Sequence, residues 1–283
     1  MKSTTNYWDN IERVKDFLNT ADAVLVGIGA GMSTAAGLTY SGERFHKYFD
    51  DFHKKYGITD MYSGGFYSFE SMEEYWAWWS RHIYYNRYDI SVGEPYIRLM
   101  ELLQNKNYFV ITTNVDHQMQ LAGVDKSRFY YMQGDYGLWQ CSAPCHQKTY
   151  DNEEQVRRMV KEQKDMKIPT ELIPHCPRCG ELMTMNLRID NTFVQDEGWY
   201  AAQNRYADFI ERYKDKKLIM LEIGVGYNTP MIIKYPFMRM AHDNIDALYV
   251  PINIEDQPIP FEIHKNTVSF NNDIQKVMND LLS

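Results

Sequence analysis

A glycine-rich segment at residues 27–37 could let the backbone approach a ligand closely. It reads Gly-Ile-Gly-Ala-Gly-Met-Ser-Thr-Ala-Ala-Gly and follows a short apolar run. Small residues at a turn that opens a helix allow backbone N–H groups to reach a pyrophosphate. The dehydrogenase fingerprint needs a glycine at its sixth position, but counting from Gly27 gives Met32 and counting from Gly29 gives Thr34. The segment disfavours a dehydrogenase, and taken alone it leaves open whether a nucleotide binds here.

An amide and a carboxylate follow a second apolar run. Asn114 and Asp116 come just after residues 108–112. If that run is a parallel strand, both side chains lie at the carboxyl edge of the sheet, where such folds bind ligands. They could hydrogen-bond ribose hydroxyls or a carboxamide, or they could cap the helix that leads to Leu121. These residues alone leave both interpretations open.

The cysteines of the chain form two close pairs, with three residues inside the first pair and two inside the second. Thiolates presented from two tight turns can close a tetrahedral zinc site. We predict a structural Zn²⁺ site without an open catalytic position, with the ligands Cys141, Cys145, Cys176 and Cys179. His146 and His175 adjoin these ligands and could substitute, but ordinary loop histidines are the preferred interpretation.

The elements that must position these residues alternate between strands and helices. Apolar runs predict strands at residues 23–26, 108–112, 217–223 and 247–254. Helical spacing predicts amphipathic helices at residues 7–19, 199–213 and 274–282, the first with Thr5 or Asp9 as its N-cap. The alternation predicts an α/β fold, with a doubly wound parallel, Rossmann-like sheet and a smaller inserted zinc-binding and helical domain.

Two segments interrupt this alternation and are assigned to the smaller domain. Residues 40–89 are a helical, aromatic-rich insertion, and residues 134–187 are a zinc-ribbon module. The nucleotide-binding Rossmann-like domain then consists of residues 1–39, 90–133 and 188–283. For the aromatic residues of 61–88, packing between helices is favoured over lining a pocket.

Composition excludes several classes of partner. The 283 residues carry 30 basic and 38 acidic side chains, a net charge of −8, so no basic excess is available for nucleic acid. The longest apolar stretches, around 23–32 and 218–226, are too short and too interrupted by glycine to span a membrane. The first ten residues lack the apolar region of a leader peptide. We interpret the chain as cytoplasmic, without a nucleic-acid or membrane partner.

In order and spacing, the motifs together resemble the sirtuin family. The likeness rests on residues 29–37, on Thr113 to Asp116, on Gln133-Gly134 and on the two cysteine pairs. It continues through residues 224–230, where sirtuins have a Gly-Thr-Ser turn, and through Ile252-Asn253. It covers nearly the whole chain and is far more specific than any single motif.

The resemblance implies that NAD is the co-substrate and binds extended across the carboxyl edge of the sheet. Asn114 and Asp116 would frame the nicotinamide ribose, and together with Gln133 they are the predicted catalytic residues. Asn271 and Asn272 would reach the adenine. The full set of predicted NAD-binding residues is Gly29, Ala30, Gly31, Ser33, Gly37, Arg44, Phe45, Asn114, Asp116, Gln133, Gly224, Gly226 and Asn253.

The departures from the family pattern bear on function. Ordinary sirtuins continue the glycine segment with Pro-Asp-Phe-Arg, whereas Arg44 and Phe45 would fill that role here from shifted positions. At the position of the family's general-base histidine stands Gln133, whose amide can orient a hydroxyl but cannot accept its proton. Residues 191–196 also replace the usual Phe-Gly-Glu segment of the acyl-lysine cleft.

Sirtuin deacylation has two stages, loss of nicotinamide and base-assisted rearrangement of the captured acyl group, and only the second needs the histidine. The pattern resembles the class M sirtuins of pathogenic bacteria and fungi. It implies NAD-dependent ADP-ribosylation of a lipoylated glycine-cleavage-type carrier protein, with a macrodomain protein as functional partner and a link to oxidative stress. Two alternatives stay open: a protein-lysine deacylase (deacetylase or lipoamidase), and a non-catalytic NAD or ADP-ribose sensor.

No base for the acceptor is evident in the motifs themselves. His117 is one hypothesis, because ordinary sirtuins have glycine there, although an exposed histidine in the first turn of a helix is the favoured interpretation. His82, within the aromatic segment, is a weaker hypothesis.

Overall fold

The chain forms two sheets, and the computed structural model describes residues 6–283. The strands are β1 (Ala23–Ile28), β2 (Tyr108–Thr112), β3 (Phe129–Tyr131), β4 (Gly134–Cys141), β5 (Tyr150–Asp151), β6 (Met183–Leu187), β7 (Leu218–Ile223), β8 (Leu248–Asn253) and β9 (Phe270–Asn271). The helices are α1 (Tyr7–Thr20), α2 (Ala30–Ala35), α3 (Glu43–Tyr56), α4 (Met61–Gly64), α5 (Met72–Ile83), α6 (Glu94–Leu102), α7 (Gln118–Leu121), α8 (Glu153–Glu162), α9 (Glu197–Tyr213), α10 (Lys234–Asp243) and α11 (Ile274–Leu282). A π-helical turn, Tyr84–Tyr88, follows α5.

The larger sheet has six strands in the order β3-β2-β1-β7-β8-β9. Every pairing in it is parallel, and Val24 of β1 lies opposite Tyr108 on one side and Ile219 on the other. The chain builds outward from β1 in one direction and then returns to β7 on its other side. The carboxyl ends of β1 and β7 therefore flank the topological switch point, where open α/β sheets bind ligands.

Both faces of the larger sheet are covered by helices. Helices α1, α6 and α11 bury Ile11, Tyr96 and Val277 in the core on one face. On the other face, α9 and α10 bury Phe209 and Phe237. The predicted doubly wound α/β fold is confirmed.

The predicted elements of the larger sheet are found close to their expected positions. β2 and α11 agree with the prediction at both ends, and β1, β7, β8, α1 and α9 agree to within two residues. The predicted N-cap of α1 is wrong: the Asn6 side chain accepts from the backbone N–H of Trp8, and Asp9 lies in the first turn. Thr5 lies outside the described residues.

The smaller sheet is antiparallel, in the order β5-β4-β6. Its core joins side chains from residues 45–83 with side chains from residues 136–185 in a separate hydrophobic cluster. Phe49 and Trp78 are fully buried there, with ring centroids 4.4 Å apart, and Trp76 packs against Trp139 at 5.0 Å. The predicted smaller domain consists of two segments that include these residues, and its exact boundaries stay a prediction.

Among residues 6–283, none of the helices combines the length and the apolar character needed to cross a membrane.

Candidate active site

The glycine segment packs backbone against backbone on the loop after β7. Gly31 N donates to the Gly224 carbonyl oxygen at 2.8 Å, and Gly29 N donates to the Ile223 carbonyl oxygen at 2.9 Å. A Cβ atom on Gly31 would lie 2.7 Å from the Gly224 Cα atom, and Gly224 itself has a φ of 64°. Only glycine allows the two loops to approach this closely. Ala30 opens α2 directly above this contact and is exposed.

The Asn114 side chain lies against the same segment. Its Nδ2 donates to the Gly29 carbonyl oxygen at 2.9 Å and lies 3.0 Å from Ser33 Oγ and 3.1 Å from the Tyr96 hydroxyl. Its backbone N–H donates to Thr112 Oγ1 at 3.0 Å. Asn114 is thus held by the ends of β1 and β2 together.

Asp116 completes this group, and its carboxylate serves two purposes. Ser33 Oγ donates to its Oδ2, while its Oδ1 accepts from the Gln118 backbone N–H at 3.1 Å. Asp116 therefore holds the first turn of α7, which is one of the two interpretations that the sequence left open, and it also faces the glycine segment. Its contact with a ribose or a carboxamide stays a prediction. Burial raises the pKa of Asp116 against the lowering effect of these hydrogen bonds.

Tyr96 is the residue of this group that the sequence did not single out. It comes from α6, is 1% exposed, and its hydroxyl lies 3.2 Å from Ser33 Oγ. Burial raises its pKa well above the ordinary tyrosine value, so it stays neutral. The Asn114 group is defined here as Ser33, Tyr96, Asn114 and Asp116.

The residues predicted to hold the adenosine half lie together at the ends of β7 and β8. Asn253 Nδ2 donates to the Val225 carbonyl oxygen at 3.2 Å, between Gly224 and Gly226. Gly224 N donates to the Ile252 carbonyl oxygen at 2.9 Å. Asn272 N donates to the Asn253 carbonyl oxygen at 3.0 Å, which places the segment predicted to reach the adenine beside the same loops.

Gln133 lies between β3 and β4 and is half-buried. Its carbonyl oxygen accepts from Arg188 N at 3.1 Å. The next residue, Gly134, has a φ of 95°, and a Cβ atom there would lie 1.8 Å from the Asn186 carbonyl oxygen, so the backbone at this point is tightly constrained. Among residues 6–283, the Gln133 side-chain amide has no protein hydrogen-bond partner, which leaves it available to a ligand.

Three of the predicted NAD-binding residues form no side-chain hydrogen bond with the Asn114 group among residues 6–283. Phe45 is fully buried in the aromatic cluster, stacked on Phe49 with centroids 5.9 Å apart. Arg44 donates to Asn86 Oδ1 at 2.8 Å and to backbone carbonyls, and so ties the start of α3 to the π-helical turn. Gly37 has a φ of 84° and is exposed after α2. Their cofactor contacts stay predictions.

His117 does not sit exposed in the first turn of a helix, and that favoured interpretation is wrong. It precedes α7 in the left-handed conformation, with a φ of 65°. Its Nδ1 lies 2.5 Å from Asp135 Oδ2, and Arg87 Nε donates to Asp135 Oδ1 at 2.9 Å. The sequence singled out neither Asp135 nor Arg87, because eighteen and more residues separate the partners and no local pattern joins them.

His82 is buried within the smaller core. Its Nε2 lies 2.8 Å from the Tyr136 hydroxyl, which in turn lies 2.7 Å from the Tyr40 hydroxyl. Burial lowers the pKa of His82 to about 3, so the ring is neutral at physiological pH. Its hydrogen bond joins α5 to β4.

The four cysteines converge on a site with the dimensions of a zinc centre. Their sulfur atoms all lie within 4.8 Å of one another, with Cys141 Sγ 3.5 Å from Cys179 Sγ and Cys145 Sγ 3.7 Å from Cys176 Sγ. Zn–S bonds of about 2.3 Å place tetrahedral sulfurs about 3.8 Å apart, so the side chains fit the ion. His146 lies beside the cluster, with its Nδ1 3.0 Å from Cys145 Sγ and its Nε2 2.7 Å from the Tyr150 hydroxyl. His175 bonds the Gly180 carbonyl oxygen.

Known proteins match this chain over most of its length. The Sir2 family profile matches residues 29–216. A protein ADP-ribosyltransferase of Staphylococcus aureus is 41% identical over 272 residues, which are 96% of this chain and 86% of that protein. A probable bifunctional ADP-ribose hydrolase/ADP-ribosyltransferase of Fusarium oxysporum f. sp. cubense is 32% identical over 243 residues, 80% of this chain and 39% of the fungal protein.

Solved structures share the fold. Sir2Tm bound to a propionylated peptide superposes with a TM-score of 0.62 at 18% identity, covering 96% of this chain and 97% of the other. A Sir2 structure with a p53 peptide and NAD⁺ gives a TM-score of 0.57 at 18% identity, with the same coverage.

NAD is the co-substrate of sirtuins, and the residues present fit it. The glycine contact between the two loops and the Asn114 group both lie at the switch point of the sheet, and the loops that carry Gly226 and Asn253 adjoin them. The cysteine cluster supplies the structural zinc ligands. The family profile, the relatives and the fold together place the chain in the Sir2, or sirtuin, family.

Proposed function

We propose that the protein is an NAD-dependent protein ADP-ribosyltransferase of the class M sirtuin type. The observation that carries the proposal is the half-buried, unpartnered amide of Gln133 at the position of the family's general base, in a chain that also assembles the Asn114 group. Such a site can break the bond between nicotinamide and ribose, but position 133 holds no base that could complete acyl removal. The names of the bacterial and fungal relatives support the same reaction.

The Asn114 group suits the first chemical step. Breaking the C1′–nitrogen bond leaves positive charge on the ribose, and a buried carboxylate stabilises such charge more strongly than one in water. Asp116 is held by Ser33 and by the Gln118 N–H, so it needs little reorganisation as the charge develops. Asn114, held by three oxygens, would position the leaving group or the ribose hydroxyls.

The acceptor in this proposal is a lipoylated glycine-cleavage-type carrier protein, and a side chain of that carrier attacks C1′. The class M resemblance supports this choice. A macrodomain protein is the proposed functional partner that removes the modification, in keeping with the hydrolase named in the fungal relative. We connect the reaction to oxidative stress because lipoyl groups are redox-active dithiols. We also propose a cytoplasmic location, because the four thiols converge as in a metal site rather than as disulfides.

One experiment separates this proposal from its alternatives. The purified protein is incubated with labelled NAD and either the lipoylated carrier or its unlipoylated form, and the products are identified by mass spectrometry. The proposal expects label on the lipoylated carrier and little on the other. Loss of the lipoyl group without label would indicate a deacylase, and NAD binding without nicotinamide release would indicate a sensor.

A further inference from the structure

His117 is held through one of its two ring nitrogens. Nδ1 lies 2.5 Å from Asp135 Oδ2, whereas Nε2 has no hydrogen-bond partner among residues 6–283. Nε2 is not one of the fully buried, unpaired polar atoms of residues 6–283, and 26% of the His117 side chain is exposed to solvent. A carboxylate at Nδ1 keeps a proton on that nitrogen and sets the ring orientation. The outer nitrogen of His117 is therefore both oriented and accessible.

Asp135 is held in its charged form. It is 5% exposed, and it accepts from Arg87 Nε at 2.9 Å and from the Gly137 backbone N–H at 2.7 Å. Burial alone would raise its pKa, but the hydrogen bond with His117 and the charge of Arg87 outweigh burial, so the pKa lies below the ordinary value. The His117 imidazole therefore faces a charged carboxylate at neutral pH.

The backbone places this pair between two segments of the candidate active site. His117 directly follows Asp116 of the Asn114 group, and Asp135 lies two residues after Gln133. His117 adopts a φ of 65°, a conformation that costs a residue other than glycine about 1 kcal/mol or more. Arg87 comes from the π-helical turn, a type of irregularity that is frequent at functional sites. Three separate segments thus converge to hold one imidazole.

We propose that His117 receives the acceptor side chain, with Nε2 forming a hydrogen bond to the attacking oxygen atom. Asp135 and Arg87 are positioning residues that act through the ring. This inference rests on the proposed transferase function. It names the residue that binds the acceptor side chain and can take its proton, which Gln133 cannot do because an amide does not titrate.

The transfer step balances with the residues present. The bond from ribose C1′ to the nicotinamide nitrogen breaks, and its electron pair leaves with nicotinamide. A lone pair of the acceptor oxygen forms the new bond to C1′. A hydroxyl acceptor gives its proton to the free lone pair of His117 Nε2. A carboxylate acceptor has no proton to lose and accepts a hydrogen bond from Nε2 of the protonated ring.

The test measures which fraction of the ADP-ribose is transferred to the carrier protein and which fraction is released by hydrolysis. His117→Asn keeps a residue that tolerates the left-handed conformation, and His117→Gly leaves space for added imidazole. The matched control is His242→Asn, because His242 is 63% exposed on α10 and also pairs with an aspartate, Asp243, at 2.9 Å. Labelled NAD and the lipoylated carrier are supplied, and protein-bound ADP-ribose, free ADP-ribose and nicotinamide are quantified together.

We expect both His117 variants to lose about 100-fold in transfer to the carrier, the usual size of a positioned proton-transfer or hydrogen-bonding group. Nicotinamide release should fall far less, so that free ADP-ribose becomes the main product, and imidazole should restore part of the transfer in His117→Gly. Asp135→Asn should show a smaller loss of the same kind. His242→Asn should match the wild type.

Two results would overturn the inference. One is a folded His117→Asn protein that labels the carrier at the wild-type rate. The other is a loss of transfer and of nicotinamide release in equal proportion, without imidazole rescue, which is what a purely structural role produces. If the wild-type protein labels no carrier at all, the proposed transferase function fails as well. If the wild-type protein and both His117 variants label the carrier equally, only the role of His117 fails.

Discussion

The side-chain amide of Asn114 donates to the carbonyl oxygen of Gly29 at 2.9 Å and so joins the ends of β2 and β1. These strands are neighbours in the sheet, and Gly31 in turn bonds Gly224 after β7, the neighbour on the other side. Three adjacent strand ends therefore form one continuous surface. Binding of a dinucleotide extended across that surface, which the sirtuin resemblance implies, stays a prediction.

Asn114→Ala tests the centre of this surface. Removing the amide takes away the group that bonds Gly29 and faces Ser33, and we expect kcat/KM for nicotinamide release to fall about 100-fold. Unfolding free energy should fall by only about 1 to 2 kcal/mol, because few hydrogen bonds are lost. The exposed Asn19→Ala on α1 is the control. Unchanged nicotinamide release in a folded Asn114→Ala protein would rule out this assignment.

Gly31→Ala tests the contact between the glycine segment and the loop after β7. The added Cβ would lie 2.7 Å from the Gly224 Cα atom and 2.9 Å from its carbonyl oxygen, so the loops must separate. We expect a loss of about 1 to 3 kcal/mol in unfolding free energy and weaker NAD binding, measured by denaturant titration and calorimetry. At Gly226 an added Cβ meets nothing within 4 Å, so Gly226→Ala should retain stability. Equal stabilities for the two variants would contradict the packing described.

The longer strands of the larger sheet could be predicted from local patterns because they are buried along nearly their whole length. β2 is buried at all five positions, and its apolar run gave both of its ends. The N-cap of α1 was missed because several polar residues precede the helix and the backbone geometry selects among them. Short strands such as β3 and β9 were also missed, since they owe their strand conformation to pairing with a neighbour.

The same limit applies to the site. The glycines, Asn114, Asp116 and the cysteines could be found because each lies in a motif with fixed spacing. Tyr96 is 63 residues from Ser33, and Arg87 is 48 residues from Asp135, so their contacts arise only when the chain folds. No periodicity in the sequence marks such pairs.

Lys234→Met tests a buried ion pair beneath the loop after β7. Lys234 is fully buried; its Nζ donates to Glu222 and lies 3.0 Å from Gln257 Oε1, while the Tyr249 hydroxyl donates to Glu222 at 2.6 Å. Removing the ammonium leaves an uncompensated buried carboxylate, so we expect a loss of about 3 to 5 kcal/mol in unfolding free energy by denaturant titration.

Two further variants check this explanation. The double variant Glu222→Gln with Lys234→Met should recover part of the stability, because no charge is then left unpaired. Lys54→Met removes the exposed pair with Asp50 and should change stability by less than about 1 kcal/mol. A Lys234→Met protein as stable as Lys54→Met would show that the buried pair contributes little.

Removing the zinc ligands tests the role of the cysteine cluster. We expect one Zn²⁺ per wild-type chain by atomic absorption and loss of the metal in Cys145→Ser. Because Cys141 ends β4, whose first residues adjoin Gln133, loss of the ion should also reduce nicotinamide release. The exposed Ser142→Ala should keep the metal and the activity. A folded, fully active Cys145→Ser protein without zinc would contradict a structural role.

The most direct test of the whole account supplies labelled NAD, the lipoylated carrier and an acyl-lysine peptide to the wild-type protein in one reaction. Nicotinamide, protein-bound ADP-ribose and acyl-ADP-ribose are then quantified against time. The account predicts that protein-bound ADP-ribose accumulates as nicotinamide is released, while acyl-ADP-ribose stays at background. Formation of acyl-ADP-ribose and free lysine at the rate of nicotinamide release, with the carrier unlabelled, would contradict it.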